Sequence, residues 1–386
     1  MTIKTDLPEI FQEFGEARRN GFVRMHELKK KGVPVVGVYC TFMPEELIMA
    51  AGAVKVGLCS TSDETIPLAE KDLPRNLCPL IKSSYGFGKS DKCPYFYFSD
   101  LVVGETTCDG KKKMFEYMKE FKDVYVMQMP NSLDSPAGRQ LWHKEILRLA
   151  EKLEDFFQVK IQEDALRAAI HLKNRERTAL KDFYSLGKLN PPAVMGYDIY
   201  QTVYGAGFKF EKEQNIRELN ALTSRIEEEY RKGKRLDPRP RILITGSPIG
   251  GATEKVIRAI EENGGVVVAF ENCTGAKPNE ELVDEQSEPM EALCDKYIRI
   301  GCSCISPNHN RFFLLRRMIE EYQADGVVDM VLQACHPYAM ESKKVRESVN
   351  IPYLYLETDF SQADVEQLNT RAAAFVEMLA ESSSLR

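Results

Sequence analysis

Ten cysteines stand in a chain of 386 residues, and four of them share one kind of position. Cys40 closes "VPVVGVYC", Cys108 closes "DLVVGETTC", Cys273 closes "VVVAFENC" and Cys335 closes "GVVDMVLQAC". Each run reads as a buried strand, β-branched and short, so each thiol falls at a strand's carboxyl end. In open α/β sheets, ligands bind in the crevice beyond those ends. A free cysteine packs well as a small hydrophobe, but packing alone would place it within a strand as often as at its end.

The spacing of the thiols narrows what they could hold. Zinc sites usually show two close pairs, whereas the only close pair here is Cys302–Cys304 in "IGCSCIS". That spacing suits extended chain with both sulfurs on one face. The ferredoxin run C-x2-C-x2-C is absent, and no C-x-x-C supports a dithiol redox pair. Scattered thiolates gathered by the fold suit an iron–sulfur site within an enzyme. Cys78 and Cys93, each followed by proline, lie in "LCPLIKSSYGFGKSDKCPYF", which reads as a Gly/Ser/Lys loop between strands. Cys59 and Cys294 are read as packing.

Other groups could serve such a site. His336 follows Cys335 directly and could donate protons; Glu105 and Glu357 sit at predicted strand ends and could relay them. His26, His143 and His171 fall in charged helical stretches. "TGSPIGGATEK" lacks both the phosphate-loop and the dinucleotide-binding patterns, so it is read as a glycine-rich turn lining the crevice. After Cys108, Asp109-Gly110 is expected to turn the chain, with a helix beginning at Lys111 and burying Met114, Phe115, Met118 and Phe121. The helix's positive end favours a thiolate beside it. Three lysines in its first turn point to the field of an anionic group, or to a docking surface for an electron donor.

The elements that must position these residues divide the chain in three. Residues 1–134 alternate strand and helix, as a parallel α/β sheet does, and form the expected N-terminal domain that carries cysteine ligands. Residues 135–236 are rich in Glu, Lys, Arg and Leu, with apolar residues recurring at three and four, as in a helical connecting region. Residues 237–386 read as a second doubly wound domain. The fold class is therefore α/β: two Rossmann-like, doubly wound parallel-sheet domains joined by helices, with the site in the crevice between them. The two halves pair as similar units without any short repeat.

Composition excludes several classes. A formal net charge of −6 does not suggest a nucleic-acid partner. No apolar run approaches the ~20 residues of a membrane helix. The opening "MTIKTDLPEIFQEFGEARRNGF" lacks a secretory apolar core, so the cytoplasm is the expected compartment, where thiols stay reduced.

"LCPLIKSSYGFG", "VVGETTCDGKKKMFEY" and "VLQACHPY", in this order and spacing, resemble the 2-hydroxyacyl-CoA dehydratase and benzoyl-CoA reductase superfamily over nearly the whole chain. The resemblance implies that Cys78, Cys108 and Cys335 bind a 4Fe–4S cluster between two α/β domains. Cys40 in "YCTFMPEEL" and the "GCSC" pair are similar to the branch called double-cubane cluster proteins, homodimers of anaerobic metabolism that hold an 8Fe–9S cluster in each subunit. At about three cysteines per cubane, the second set is Cys40, Cys302 and Cys304, with Cys93 and Cys273 in reserve. The implied activity is that of an iron–sulfur reductase component. An ATP-hydrolysing iron–sulfur activator would supply low-potential electrons, and a small molecule would be reduced. One alternative is a 2-hydroxyacyl-CoA dehydratase subunit with a single 4Fe–4S cluster, a non-identical partner and a bound acyl-CoA. Others are a non-enzymatic electron-storage or cluster-carrier protein, and a sugar- or nucleotide-binding α/β protein with incidental cysteines.

Overall fold

The computed structural model describes residues 9–248, 250–273 and 275–384. The first eight residues, part of the opening segment considered for a leader, and Ile249 of the glycine-rich turn lie outside the described residues.

Among the described residues, eight strands form in chain order: β1 (Val35–Val38), β2 (Val54–Gly57), β3 (Leu101–Glu105), β4 (Val124–Met127), β5 (Arg241–Gly246), β6 (Val266–Phe270), β7 (Gly326–Leu332) and β8 (Tyr353–Thr358). They make two four-stranded sheets, ordered β2-β1-β3-β4 and β6-β5-β7-β8. Every pairing is parallel. The order is the same in both sheets. Winding reverses between β1 and β3 in the first and between β5 and β7 in the second, and such a switch opens a crevice at the carboxyl ends.

Both faces of each sheet are covered, which is why the strands are nearly continuous in apolar residues. In β1, Val35 enters one core while Val36 and Val38 enter another; in β3, Val102 opposes Leu101 and Val103 in the same way. Between the sheets run the helices Pro136–Phe157, Glu163–Tyr184, Gly196–Ala206 and Lys212–Arg231. Ser135 opens the first of them, its hydroxyl accepting the Gly138 N–H at 3.1 Å with Pro136 in the first turn. Among the described residues, no helix is long and apolar enough to cross a membrane.

The structure corrects three local expectations. The stretch after Cys78 is not a loop but two helices, Pro79–Lys89 and Pro94–Phe98, each with cysteine as N-cap and proline at its start. Gly86 serves close approach there, since a Cβ on it would collide with the Thr65 carbonyl. The helix after Cys108 begins at Asp109 rather than at the lysines. Its Met114, Phe115 and Met118 are buried, but Phe121 lies beyond its end and is 37% exposed. Cys302 and Cys304 occupy an irregular turn rather than extended chain, because the helix Pro289–Ile298, capped by Glu288, takes up the preceding residues.

Candidate metal centre

The strand ends deliver thiols as expected, and the helices that follow hold them. Cys78, Cys108 and Cys335 are each the N-cap of a helix: Pro79–Lys89, Asp109–Met118 and His336–Ser348. Ala334, immediately before Cys335, adopts the left-handed conformation with φ 56°, a strain that sets the thiol at the turn out of β7. These three come together across the two domains. The Cys335 thiol donates to the Cys78 sulfur, and Cys108 senses the charge of Cys335. That hydrogen bond, offset by burial and aided by the Leu80 and Ile81 N–H groups, lowers the Cys78 pKa. Cys335 is raised well above the ordinary range, by the proton it shares and then by burial. Burial also raises Cys108, against the pull of Lys111. Helix N-termini favour thiolates, which works against the burial that raises Cys108 and Cys335.

A second set lies alongside. In the turn after the helix Pro289–Ile298, the Cys304 thiol donates to the Cys302 sulfur, and Cys304 senses the charges of Cys40 and Cys273. The Cys302 pKa is lowered to about 6, by that hydrogen bond first and with help from Lys277 and Arg311. Beneath the turn, Lys277 pairs with the buried Glu271 at 3.0 Å. Arg311, fully buried, also reaches Glu271, at 3.4 Å. Cys273 lies 3.6 Å from the Tyr338 hydroxyl. Cys40 receives the Lys111 ammonium at 2.8 Å. Of the three lysines after Cys108, only Lys111 turns inward; Lys112 and Lys113 are exposed and pair with Asp109 and Glu116.

Sequence alone assigns Cys59 to packing, yet it lines the same crevice. Its thiol donates to the Tyr39 carbonyl at 2.8 Å, and it senses Lys111 and Cys273. The signal was available, because "VKVGLC" places it just past β2. Cys93 caps its short helix, accepting the Phe96 N–H at 3.4 Å, and with Cys59 lines a separate cavity of about 510 Å³ walled by aromatic residues such as Tyr39, Tyr95 and Phe208. Cys294 is buried in the core on the far face, where its carbonyl accepts the Trp142 indole N–H at 3.2 Å. Burial pushes its thiol up to about 12.

Of the candidate proton groups, Glu105 is fully buried at the end of β3, with Oε1 accepting the Met43 N–H at 3.2 Å. Its Oε2 has no hydrogen-bond partner among the described residues. Burial raises its pKa to about 7, against the attraction of Lys111. His336 is exposed at the start of its helix, and Glu357 is exposed, accepting the Tyr355 hydroxyl at 3.1 Å. In the glycine-rich turn, Gly246 at φ +108° lets β5 pass the Met330 carbonyl, which a Cβ would strike.

Among the described residues, no three His, Cys, Asp or Glu side chains could hold a single metal ion together. A cluster makes a different demand. Each thiolate binds its own iron, so the ligands surround a volume instead of converging on a point. Unbridged thiols in two neighbouring groups drawn from both sheets, Cys78 buried and the others half-buried, fit that demand.

Comparison with known proteins gives the family of the chain. The family described as "2-hydroxyglutaryl-CoA dehydratase, D-component" matches residues 40–379. YjiM of Escherichia coli (strain K12), named there as a provisional dehydratase subunit, is 65% identical over 98% of this chain and 100% of its own length. The (R)-phenyllactyl-CoA dehydratase beta subunit of Clostridium sporogenes is 24% identical, over 92% of this chain and 94% of its own. A benzoyl-CoA reductase subunit of Thauera aromatica is 22% identical, over 89% of this chain and 90% of its own. The chain belongs to the 2-hydroxyglutaryl-CoA dehydratase D-component family, within the superfamily of 2-hydroxyacyl-CoA dehydratases and benzoyl-CoA reductases.

Proposed function

We propose that this chain is the reductase component of an ATP-driven iron–sulfur system and holds a double-cubane 8Fe–9S cluster. The observation that carries this reading is the second thiol set. Cys304 feels the charges of Cys302, Cys40 and Cys273, and Cys273 that of Cys302, while Lys111 from the helix capped by Cys108 reaches Cys40 at 2.8 Å. A single cubane would leave these thiols without work. Cys40, Cys302 and Cys304 are the ligands proposed for the second cubane, with Cys273 the nearest reserve.

Bound there, the cluster would supply single electrons at low potential, delivered one at a time by an ATP-hydrolysing activator. The chain's own residues do the rest. Lys111, Lys277 and Arg311 offset the negative charge of the gathered thiolates, and the surrounding apolar walls exclude bulk water. Glu105, with one carboxyl oxygen free inside the protein, is placed to hold a proton for substrate at Oε2. His336, facing solvent, would exchange protons at the outer edge. We further propose a homodimer in the cytoplasm.

The relatives named as dehydratase subunits favour a second reading, a 2-hydroxyacyl-CoA dehydratase subunit with one 4Fe–4S cluster on Cys78, Cys108 and Cys335. Anaerobic purification with iron and acid-labile sulfide counting separates the two. The first requires about eight irons per chain and the second about four. A chain without iron would contradict both.

A further inference from the structure

A cavity of about 210 Å³ lies against Cys40, Cys59 and Cys273, and its wall carries an unusual density of lysine. For comparison, an apolar cavity of about 150 Å³ accepts benzene, so the space suits a small molecule. Lys55, Lys111, Lys173, Lys212, Lys296 and Arg177 all border it.

Most of these cations are neutralised. Glu45 takes Lys173 at 2.7 Å, Lys212 at 2.8 Å and Lys55 at 3.2 Å. Glu176 takes Lys173 at 2.6 Å and Lys212 at 3.0 Å. Arg177 pairs with Glu46 at 2.7 Å. Four of the six cations thus meet three carboxylates, and Lys111 meets the Cys40 sulfur at 2.8 Å. Lys296 is the one left over: 4% exposed, it has no carboxylate within ion-pair distance among the described residues. Its ammonium donates to the Pro278 carbonyl at 2.9 Å and lies 4.1 Å from the Tyr297 ring centre. Burial, and then the nearby Arg177, push its pKa well below the usual lysine range. Glu46 and Glu281 attract Lys296 only from beyond ion-pair distance; a buried ammonium with no paired carboxylate is costly, and a bound anion would reduce that cost. The lining also includes the apolar residues Leu180, Val203, Ala206 and Phe208.

We propose that this cavity binds a small organic carboxylate, its charge on Lys296 and its hydrocarbon body against these apolar residues. The cavity alone supports the binding; only the view that the carboxylate is presented to redox-active sulfur rests on the function proposed above.

The test is calorimetric titration of the anaerobically purified full-length protein with butyrate and with butyramide, its uncharged isostere. Butyrate is expected to bind about tenfold or more tightly than butyramide, and Lys296→Met to lose about tenfold in butyrate affinity. Should Lys296→Met not fold, Lys55→Met at the rim is expected to weaken butyrate by a smaller factor. Three results would overturn the proposal: equal affinity for the two probes, no butyrate binding at millimolar concentration, or affinity unmoved by these substitutions. Inorganic phosphate displacing butyrate at equal concentration would overturn the organic ligand class. Iron counted on the same samples reads the proposed function separately.

Discussion

The Lys111 ammonium lies 2.8 Å from the Cys40 sulfur, and it joins the two thiol sets. Lys111 belongs to the helix capped by Cys108, a triad member, while Cys40 follows β1 and faces the Cys302–Cys304 turn. The ammonium is buried and also reaches the Tyr39 carbonyl at 3.4 Å. Burial disfavours its charge, but Cys40 and Cys59 more than reverse that and raise its pKa well above the usual range. One cation therefore serves sulfur from both sides of the switch point between β1 and β3.

Lys111→Met keeps the length of the side chain and removes the charge. An anionic cluster without that cation is harder to reduce, so its midpoint potential is expected to fall by on the order of tens of millivolts while iron content is retained. A potentiometric titration followed by electron paramagnetic resonance checks this. An unchanged potential would place Lys111 outside the cluster's field.

Arg177 and Glu46 form an almost fully buried pair at 2.7 Å, with the Tyr297 hydroxyl donating to Glu46 at 2.8 Å. Arg177→Met alone strands the carboxylate and is expected to cost about 3–5 kcal/mol. The double variant Arg177→Met/Glu46→Gln is expected to recover much of that loss. Urea denaturation of the single and double variants measures both.

Gly86 packs against the Thr65 carbonyl without room for a Cβ. Gly86→Ala is expected to destabilise by about 1–3 kcal/mol through overpacking, even though alanine favours helix. The shift in the urea midpoint decides whether contact or propensity wins here.

Asp198 is buried, and burial together with Glu261 raises its pKa from 3.8 to about 8. The folded chain therefore binds a proton between about pH 4 and pH 8 that the unfolded chain releases. Stability from this group is complete below pH 4 and is lost as pH rises through about 8. Asp198→Asn is expected to flatten that decline, read as the urea midpoint across the same range. An unaltered slope would mean that Asp198 is ionised in the folded protein.

The strand ends were legible because burial on both faces leaves short apolar runs that stop abruptly, so Cys40, Cys108, Cys273 and Cys335 could be placed from the sequence. The structure sets Cys335 against Cys78 and Cys108, and Cys40 and Cys273 near Cys304. What could not be read was decided by contacts between distant segments. Cys78 and Cys93 read as loop residues because their stretch is rich in glycine and serine, yet Gly86 and Gly88 are small so that Thr65 and Phe96 can approach. Nothing local separates Lys111 from Lys112 and Lys113; the helix phase set by Met114, Phe115 and Met118 turns one lysine inward. Lys173 and Lys212 sit in charged helical sequence, which does not mark them out as buried partners of Glu45 and Glu176. The packing of helices Lys212–Arg231 and Glu45–Ala50 on helix Glu163–Tyr184 brings them together.

The central claim is that two neighbouring thiol sets hold two joined cubanes, and iron counting on paired variants tests it most directly. Cys302→Ser/Cys304→Ser, purified anaerobically beside the wild type, is predicted to fall from about eight irons per chain to about four. A wild type holding about four irons, with the count unchanged in the variant, would contradict the account and leave the triad of Cys78, Cys108 and Cys335 as a single-cluster site.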